Sequence, residues 1–559
     1  MKSKDYKYLF IILCCCVIVA CASSKAILKK PQIITVSFAK KQPLTKEEKQ
    51  NWHFKDIYTD SIPGISLDKA YQELLKNKQG NTIIVAVVDT ELDIDHEDLK
   101  KQIWVNKDEI PNNHIDDDDN GYIDDINGWN FIANNHGEST KYLHFSSVRI
   151  IKKFDSLFKN KSMSDFKTKK DVDNYKIYKR AKKQYNFLVK QAIQDIDYIK
   201  FLEDNYSPAH KLVYKYFPNK DYTISQLDSL YKLKDSKGDK KEAALIYYVA
   251  DFMKYNLSKE WMQKYRRNAD AKIDKILNLD TYNEREIIGD NPNDLNDSIY
   301  GGNNVIGIVK ESYHSTQVTG VLLSGMAKYN LKIMPVCIST NGDELDKDIA
   351  IAIHYAVNNG AKVINMSFGK EFSLNQKWVS DAFKYAENNG VLIVSSAGNE
   401  STNLATDGNN HYPNDEYNNK EVVNNFIKVA ASSYKVNENL AAVFTNYGKD
   451  DIDIFAPGVE IYTTQPNDKY IFNRGTSLAA PIVSKIAALI FSYYPNLTAP
   501  EVKQIIVESG VSYNIMVNKP STNKEKELVP FISLSKSGKI VNAYNALLLA
   551  EEVSKKKKK

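Results

Sequence analysis

The stretch NRGTSLAAP at residues 473–481 decides how the rest of the chain is interpreted. Small residues flank Ser477, and the apolar run at 482–490 has the three- and four-residue spacing of a buried helix. Because proline is tolerated only in the first turn of a helix, Pro481 puts Ser477 at or beside the helix N-terminus. Unpaired backbone N–H groups at that end would stabilise a negatively charged oxygen next to the hydroxyl. A simple Gly-Thr-Ser helix cap fits this stretch equally well when it is taken alone, since a lone serine is a weak nucleophile.

A second polar residue, Asp89, ends the β-branched run at residues 82–88. Such a continuous apolar run is typical of a strand in a buried parallel sheet, and open α/β sheets place their functional residues at the carboxyl ends of these strands. Later in the chain, strands predicted at 331–336, 362–366 and 391–394 alternate with helices predicted at 349–358 and 376–390. This alternation predicts a three-layer α/β/α domain around a mostly parallel sheet.

Three motifs suggest a family. GTSLAAP at 475–481 resembles the nucleophile motif of the subtilisin-like serine peptidases, with Leu478 where that family usually has methionine. The triad of this family follows the order Asp, His, Ser along the chain. VAVVDT at 85–90 is similar to the family's aspartate motif, although Glu91 stands where the family usually has glycine. SAGN at 396–399 resembles the motif whose asparagine donates to the oxyanion.

The histidine motif has two candidates. HSTQVTG at 314–320 is similar to the family's His-Gly-Thr-His-Val-Ala-Gly helix, with Ser315 and Gln317 replacing the glycine and the second histidine. His136 lies much nearer to the aspartate motif along the chain, as is usual in the family. However, the residues after it do not form a helix of small apolar residues, so the resemblance favours His314.

The resemblance implies a subtilisin-like serine endopeptidase acting on protein or peptide substrates. Ser477 would be the nucleophile, His314 its base, and Asp89 the carboxylate that holds the histidine. The Asn399 amide would bind the developing oxyanion, a contribution typically worth a factor of about 10² to 10³ in turnover. The alternative is a catalytically weak relative that binds peptides in the same groove, and it is supported by the departures at Glu91, Ser315 and Gln317.

The run at 363–369 resembles the substrate-binding edge strand of the family. An exposed strand edge can hydrogen-bond an extended peptide whatever its side chains are. The resemblance therefore implies that Ser367, Phe368 and Gly369 border the substrate.

An acidic stretch, IDDDDNGYIDD, occupies residues 115–125. Counted from its first aspartate, side-chain oxygens recur at positions one, three, five and nine, with glycine at six, as in the first half of an EF-hand calcium loop. The predicted ligands are Asp116, Asp118, Asn120 and Asp124. Because Asn127 replaces the glutamate of position twelve, a full EF-hand is not predicted, and a solvated acidic turn is the alternative. A structural Ca²⁺ ion is thus expected, and no organic cofactor is indicated.

Residues 140–299 are rich in Lys, Asp, Tyr and Asn. Apolar residues that step by three and four predict an amphipathic helix over about 170–203, and further helices are predicted at 240–256 and 258–277. Because so long a segment cannot be a structureless loop in a compact domain, a helical insertion into the peptidase domain is expected. A solvated spacer, a lid over the cleft and an arm that docks a partner are the alternatives for its role.

Residues 1–20 have the features of an export signal, because three lysines precede an apolar run at 8–20 that is too short to span a bilayer. The run ends in IVAC at 18–21, which resembles a bacterial lipobox, where the cysteine is lipidated. This predicts an exported protein held at the membrane of a bacterial cell envelope through Cys21. The alternative is an ordinary signal peptide and a secreted protein.

Composition limits the partners. The net charge of the 559 residues is +5, and the run Lys555–Lys559 alone supplies five positive charges, so no nucleic-acid footprint is left. Four of the five cysteines lie in the first 21 residues, so no internal disulfide is expected once Cys21 is acylated. A monomer is expected. The predicted division is a signal peptide at 1–20, a tether at 21–50, the peptidase domain at 51–139 and 300–550, the helical insertion at 140–299, and a lysine-rich tail at 551–559.

Overall fold

The structure of the protein, a computed structural model, describes residues 34–308, 313–325, 331–418, 420–523 and 525–558. The predicted signal peptide, Cys21 and residues 21–33 of the predicted tether lie outside the described residues.

A large sheet forms the centre of the described fold. The strands are β1 (Ile83–Asp89), β2 (Trp129–Asn130), β3 (Leu331–Cys337), β4 (Val363–Met366), β5 (Leu392–Ser396), β6 (Phe426–Ser432), β7 (Ile454–Pro457), β8 (Ile461–Gln465), β9 (Lys469–Asn473), β10 (Val511–Ser512), β11 (Met516–Asn518), β12 (Leu528–Pro530) and β13 (Lys539–Ile540). Nine of them form one sheet in the order β10-β13-β7-β6-β5-β4-β1-β3-β2. Its pairings are parallel except that of β10 with β13, which confirms the prediction of a mostly parallel sheet.

Helices cover both faces of this sheet. They are α1 (Lys46–Asn51), α2 (Leu67–Ala70), α3 (Ser146–Phe158), α4 (Lys169–Tyr216), α5 (Ile224–Ser236), α6 (Lys240–Lys254), α7 (Lys259–Ala271), α8 (Tyr313–Leu323), α9 (Asp346–Asn358), α10 (Gln376–Asn388), α11 (Thr476–Tyr493), α12 (Ala499–Ser509) and α13 (Ala543–Lys557). Successive side chains of a strand point to opposite faces. Val85 and Val87 of β1 accordingly pack into a core with α8, α11 and α12, while Ala86 and Val88 pack into another with α9 and α10. The predicted three-layer α/β/α arrangement is confirmed.

The strand β4 is central and not an edge. It lies between β5 and β1, where Asn365 is aligned with Val394 on one side and with Val87 on the other. The prediction of an edge strand within 363–369 is therefore wrong, since β2 and β10 are at the edges of the sheet. Residues 367–369 follow the end of β4, and the prediction that they border a substrate does not depend on an edge strand.

The helix α11 begins one residue before Ser477, as its apolar pattern predicts. Pro481 is the sixth residue of this helix and lies beyond its first turn, contrary to the prediction. Its missing N–H leaves the carbonyl of Ser477 without an intrahelical partner, and the hydroxyl of Ser367 donates to that carbonyl at 2.9 Å. Among the described residues, α11 is the one helix long and apolar enough to cross a membrane, but 89% of it is buried, so it is a core helix.

Helices α3 to α7 occupy the region where the sequence predicts helices. The helix α4 has 48 residues and continues well past residue 203, although Pro208 lies inside it. Apolar residues of α4 to α7, including Leu202, Leu227 and Val249, form a hydrophobic core that is separate from the two cores of the sheet. This segment is therefore packed largely on itself.

Buried ion pairs join the end of this segment to α9. Arg285 donates to both carboxylate oxygens of Asp348 at 2.8 and 3.0 Å and to Asp290 at 2.6 Å. Lys347 of α9 also donates to Asp290, at 2.7 Å. These side chains are almost fully buried, so each charge depends on its partners.

Candidate active site

Ser477 is the second residue of α11 and is partly exposed. Gly475, just before the helix, has a φ of +155°, which residues with side chains rarely adopt. A Cβ at this glycine would lie 3.0 Å from the Oγ atom of Ser477. Glycine therefore leaves open the space in front of the hydroxyl.

Asp89 and His314 meet at the carboxyl end of β1. The Nδ1 atom of His314 lies 2.7 Å from Oδ1 of Asp89, whose side chain is 1% exposed. The same oxygen accepts the N–H of Thr90 at 2.7 Å, and Oδ2 has no hydrogen-bond partner in the described part of the chain. A carboxylate bound to Nδ1 fixes the ring so that Nε2 is available as a proton acceptor.

The environment of His314 favours its protonated form. Burial by itself lowers the pKa of this histidine, but the charge and the hydrogen bond of Asp89 outweigh that effect, with a smaller contribution from Glu344. The pKa of His314 consequently lies above its ordinary value. Asp89 thus stabilises the imidazolium that forms when the ring accepts a proton.

Of the two residues that depart from the family's histidine motif, Gln317 has a side-chain partner, whereas the hydroxyl of Ser315 has none among the described residues. The backbone N–H of Ser315 donates to Oγ1 of Thr90 at 3.1 Å, which ties the start of α8 to the end of β1. The Oε1 atom of Gln317 accepts from the side chain of Asn473 at 2.7 Å. Gln317 therefore connects the histidine helix to the residues just before Ser477, away from the contact between His314 and its carboxylate.

Asn399 lies beside Ser477 with its amide held in one orientation. Its Oδ1 atom accepts from the backbone N–H of Thr476 at 2.9 Å and from the hydroxyl of Thr476 at 3.1 Å. The Nδ2 atom is on the other side of the amide, 3.9 Å from the place where a Cβ of Gly475 would lie. That place is also 3.0 Å from Ser477 Oγ, so a hydroxyl and an N–H donor border the same small space. Thr476, which the sequence alone does not single out, is the residue that orients Asn399.

The predicted substrate-binding residues have different surroundings. The side chain of Ser367 is buried and used internally, since it accepts from Asn365 at 2.9 Å and donates to the carbonyl of Ser477. Phe368 is 9% exposed, and Gly369 lies against the ring of His411. The side chains of Ser367 and Phe368 are thus buried, and the role of this stretch in binding a substrate stays a prediction.

His136 and Glu91 do not join the contact between His314 and Asp89. His136 is exposed in a turn, where its N–H donates to Asn134. The carboxylate of Glu91 accepts from Asn130 at 3.3 Å and lies against Gly307, where a Cβ would be 1.7 Å from Oε2. A glycine at 307 thus provides the room that Glu91 needs.

The acidic stretch folds into a cluster that differs from the predicted one. Glu109, Asp118 and Asp125 each offer a carboxylate oxygen within 4.8 Å of the others. Asn106 donates to Asp118 at 3.0 Å and to Asp125 at 2.7 Å. Burial raises the pKa of Asp125 to about 6, and the charge of Asp118 acts in the same direction.

Of the three predicted carboxylate ligands, only Asp118 belongs to this cluster. The predicted Asn120 lies beside the cluster, where its side chain also donates to Asp125 at 3.4 Å. The carboxylate of Asp116 accepts backbone N–H groups of Asn120 and Gly121, and that of Asp124 accepts two others. Asn120 donates to Asp118 from its side chain at 3.1 Å. Glu109 was missed because it precedes the acidic run and meets it only after the loop folds back.

The chain is similar in sequence to known proteinases. A model of the "Subtilase family" matches residues 80–527. A "Thermophilic serine proteinase" of Bacillus sp. (strain AK1) is 33% identical over 220 residues, which are 39% of this chain and 48% of that protein. "Subtilisin DY" of Bacillus licheniformis is 31% identical over 202 residues, which are 36% of this chain and 67% of that protein. A solved lanthipeptide protease is 26% identical, with a TM-score of 0.34, over 43% of this chain and 75% of that one.

The family model covers most of the chain, including the segments that carry Asp89, His314, Asn399 and Ser477. The protein belongs to the subtilase family. It spans about half the length of the first of these relatives, so what the whole relative does is not thereby assigned to it.

Proposed function

We propose that this protein is a serine endopeptidase that hydrolyses peptide bonds with Ser477 as the nucleophile. The observation that carries this proposal is the 2.7 Å contact between His314 Nδ1 and the buried carboxylate of Asp89, in a chain of the subtilase family. Two matched relatives are named as a serine proteinase and a subtilisin, which supports the same activity.

In the proposed reaction, Oγ of Ser477 attacks the carbonyl carbon of the scissile bond while its proton passes to Nε2 of His314. The carbonyl oxygen becomes an oxyanion that accepts from Nδ2 of Asn399 and from the backbone N–H of Ser477. Collapse of this intermediate breaks the C–N bond, and the leaving amine takes the proton from His314. Water then attacks the acyl-enzyme with the same histidine as base and releases Ser477.

A catalytically weak, peptide-binding relative remains the alternative function, and no contact in the described structure favours it. Glu91, Ser315 and Gln317 depart from the family's motifs. The side chains of Glu91 and Gln317 have partners outside the contact between His314 and Asp89, and the backbone N–H of Ser315 donates to Thr90. Since none of these contacts removes the histidine from its carboxylate, we expect the hydroxyl to be activated.

Labelling with a fluorophosphonate tests the proposal directly, because this reagent reacts with activated serine hydroxyls. We expect a single adduct on the peptide that contains Ser477, and no adduct in Ser477→Ala. A folded wild-type protein that stays unlabelled while a reference serine hydrolase in the same tube is labelled would refute catalysis and favour the peptide-binding alternative.

We also propose that the acidic cluster binds a Ca²⁺ ion. Calcium prefers several carboxylate and carbonyl oxygens, and Glu109, Asp118 and Asp125 offer such oxygens close together. Burial is the main cause of the raised pKa of Asp125, and the charge of Asp118 adds to it; a divalent cation would offset both effects. The ion would stabilise this loop and would take no part in the reaction.

Thermal unfolding tests the calcium proposal, because a ligand bound only by the folded state stabilises it by about 2.7 kcal/mol at a concentration of 100 Kd. A chelator should lower the Tm of the wild type but leave that of Asp125→Asn almost unchanged. Asp116→Asn distinguishes the acidic cluster from the ligands predicted from the sequence, because Asp116 belongs only to the predicted set. If the cluster binds the ion, a chelator should still lower the Tm of this variant. Asp108→Asn is the control, since Asp108 is exposed. Equal Tm values in calcium and in chelator would contradict the proposal.

We further propose that the protein is exported and anchored at a bacterial envelope membrane through Cys21. The support is the match of residues 18–21 to a lipobox at the end of an apolar run. Cys21→Ser should move the protein from the membrane to the soluble fraction, with Cys16→Ser as the matched control. Unchanged partitioning of Cys21→Ser would refute the anchor.

A further inference from the structure

We infer that His411 limits the size of the substrate side chain next to the scissile bond, so that the protein cleaves after small residues such as glycine and alanine. This inference rests on the proposed peptidase function and adds a substrate class to it.

The side chain in question must lie between two segments that border Ser477. Residues 367–369 and 396–399 follow or end the neighbouring parallel strands β4 and β5. The first segment contacts the nucleophile through the hydroxyl of Ser367, and the second through Asn399, which accepts from the residue before Ser477. A carbonyl group attacked by Ser477 and bound by Asn399 has its Cα beside both segments. The gap between them is therefore where the attached side chain would go.

The imidazole of His411 fills this gap. A Cβ built on Gly369 would lie 2.0 Å from Cε1 of the ring, and one built on Gly398 would lie 2.5 Å from Cδ2. The ring thus touches the backbone of both segments, and both positions must be glycine. His411 is 7% exposed. Since protein interiors are close-packed, little space is left for a large substrate side chain.

The backbone around His411 is held firmly. Tyr412 and Lys370 exchange two backbone hydrogen bonds, each of 2.8 Å. The buried Lys428 donates to the carbonyl of His411 at 2.7 Å. These contacts hold the backbone of His411, so this backbone should not shift away from the gap when a substrate binds.

His411 selects by size and not by charge. Burial lowers the pKa of this histidine to about 3, and the charge of Lys428 acts in the same direction. The imidazole is consequently neutral over the physiological range. Its Nδ1 atom has no hydrogen-bond partner within the described ranges.

A cavity of about 340 Å³ borders His411. It is lined by His411 and by residues that include Asp415, Lys428 and Asp451. Removing the imidazole would join this cavity to the gap. His411→Gly should therefore admit side chains that the wild-type protein excludes.

The test uses two peptide p-nitroanilides that differ only in the residue before the scissile bond, alanine or phenylalanine. We expect the wild type to have a kcat/KM for alanine at least about tenfold above that for phenylalanine, the scale on which a hydrophobic pocket discriminates by size. In His411→Gly this ratio should fall by about tenfold or more. His136→Ala, which removes an exposed histidine outside the gap, should keep the wild-type ratio.

The outcomes separate the inference from the function on which it rests. A wild type that hydrolyses both substrates but prefers phenylalanine overturns the role of His411 and leaves the peptidase function intact. A folded His411→Gly that keeps the wild-type ratio overturns that role as well. If that variant does not fold, the ratio of kcat/KM values of the wild type for alanine and phenylalanine tests the role of His411. Hydrolysis of neither substrate, together with no fluorophosphonate adduct on Ser477, overturns the function and the inference with it.

Discussion

The contact between His314 and Asp89 determines the acid–base properties expected of the site. The histidine is half-exposed, with 39% of its side chain accessible, whereas the carboxylate is 1% exposed. A buried carboxylate with one neighbouring cation stabilises that cation strongly. This explains why the pKa of His314 is raised although burial alone would lower it.

The pH dependence of activity follows from this contact. His314 must be neutral to accept the Ser477 proton, so kcat/KM should fall as the pH drops through its pKa, with a midpoint above the ordinary value of 6.5. Asp89→Asn removes the charge that raises this pKa, so the midpoint should move to lower pH and kcat should fall by about 10⁴-fold. Glu91→Gln is the matched control and should keep the midpoint. An Asp89→Asn profile with the wild-type midpoint would show that Asp89 does not set this pKa.

At the scale of elements, the positions of helices and strands could be predicted where the pattern of apolar residues is unambiguous. The run at 82–88 predicted the strand β1, and the run at 482–490 predicted half of α11. The run around 363–366 could not be placed within the sheet, because a central and an edge strand share the same local sequence. The sequence predicts Pro481 in the first turn of α11, but it is the sixth residue of the helix. The proline is tolerated there because the hydroxyl of Ser367 donates to the carbonyl of Ser477, and this contact between distant parts of the chain could not be predicted.

The sequence also does not predict the connection of residues 140–299 to α9, because the charged residues that form it are far apart in the chain and pair only after folding. Arg285→Ala should leave Asp348 buried without its cation and Asp290 paired with Lys347 alone, so we expect a loss of about 3 to 5 kcal/mol in the free energy of unfolding. Denaturant titration would measure it. Lys377→Ala, which breaks an exposed pair on α10, should leave the free energy of unfolding almost unchanged. Equal losses in the two variants would contradict a role of Arg285 in holding this segment.

At the scale of the whole molecule, the fold brings together residues that are far apart in the sequence. Asp89 and His314 are separated by 225 positions, and Ser477 follows much later, yet all three lie at the ends of rigid elements. The resemblance of short motifs predicted the pairing of Asp89 with His314 that the fold contains, while the roles of Ser477 and Asn399 stay predictions. It could not predict the acidic cluster of Glu109, Asp118 and Asp125, or the position of His411, because those depend on how loops fold back onto the sheet.

The central claim is that Ser477 and His314 act as one catalytic unit, and a double-mutant comparison of peptide hydrolysis tests it most directly. Ser477→Ala and His314→Ala should each lower kcat by about 10⁶-fold, and the double variant should be scarcely worse, because the effects of residues that act together are not additive. His136→Ala should retain nearly all activity. The claim would be contradicted if folded His314→Ala stayed close to wild type while His136→Ala lost turnover.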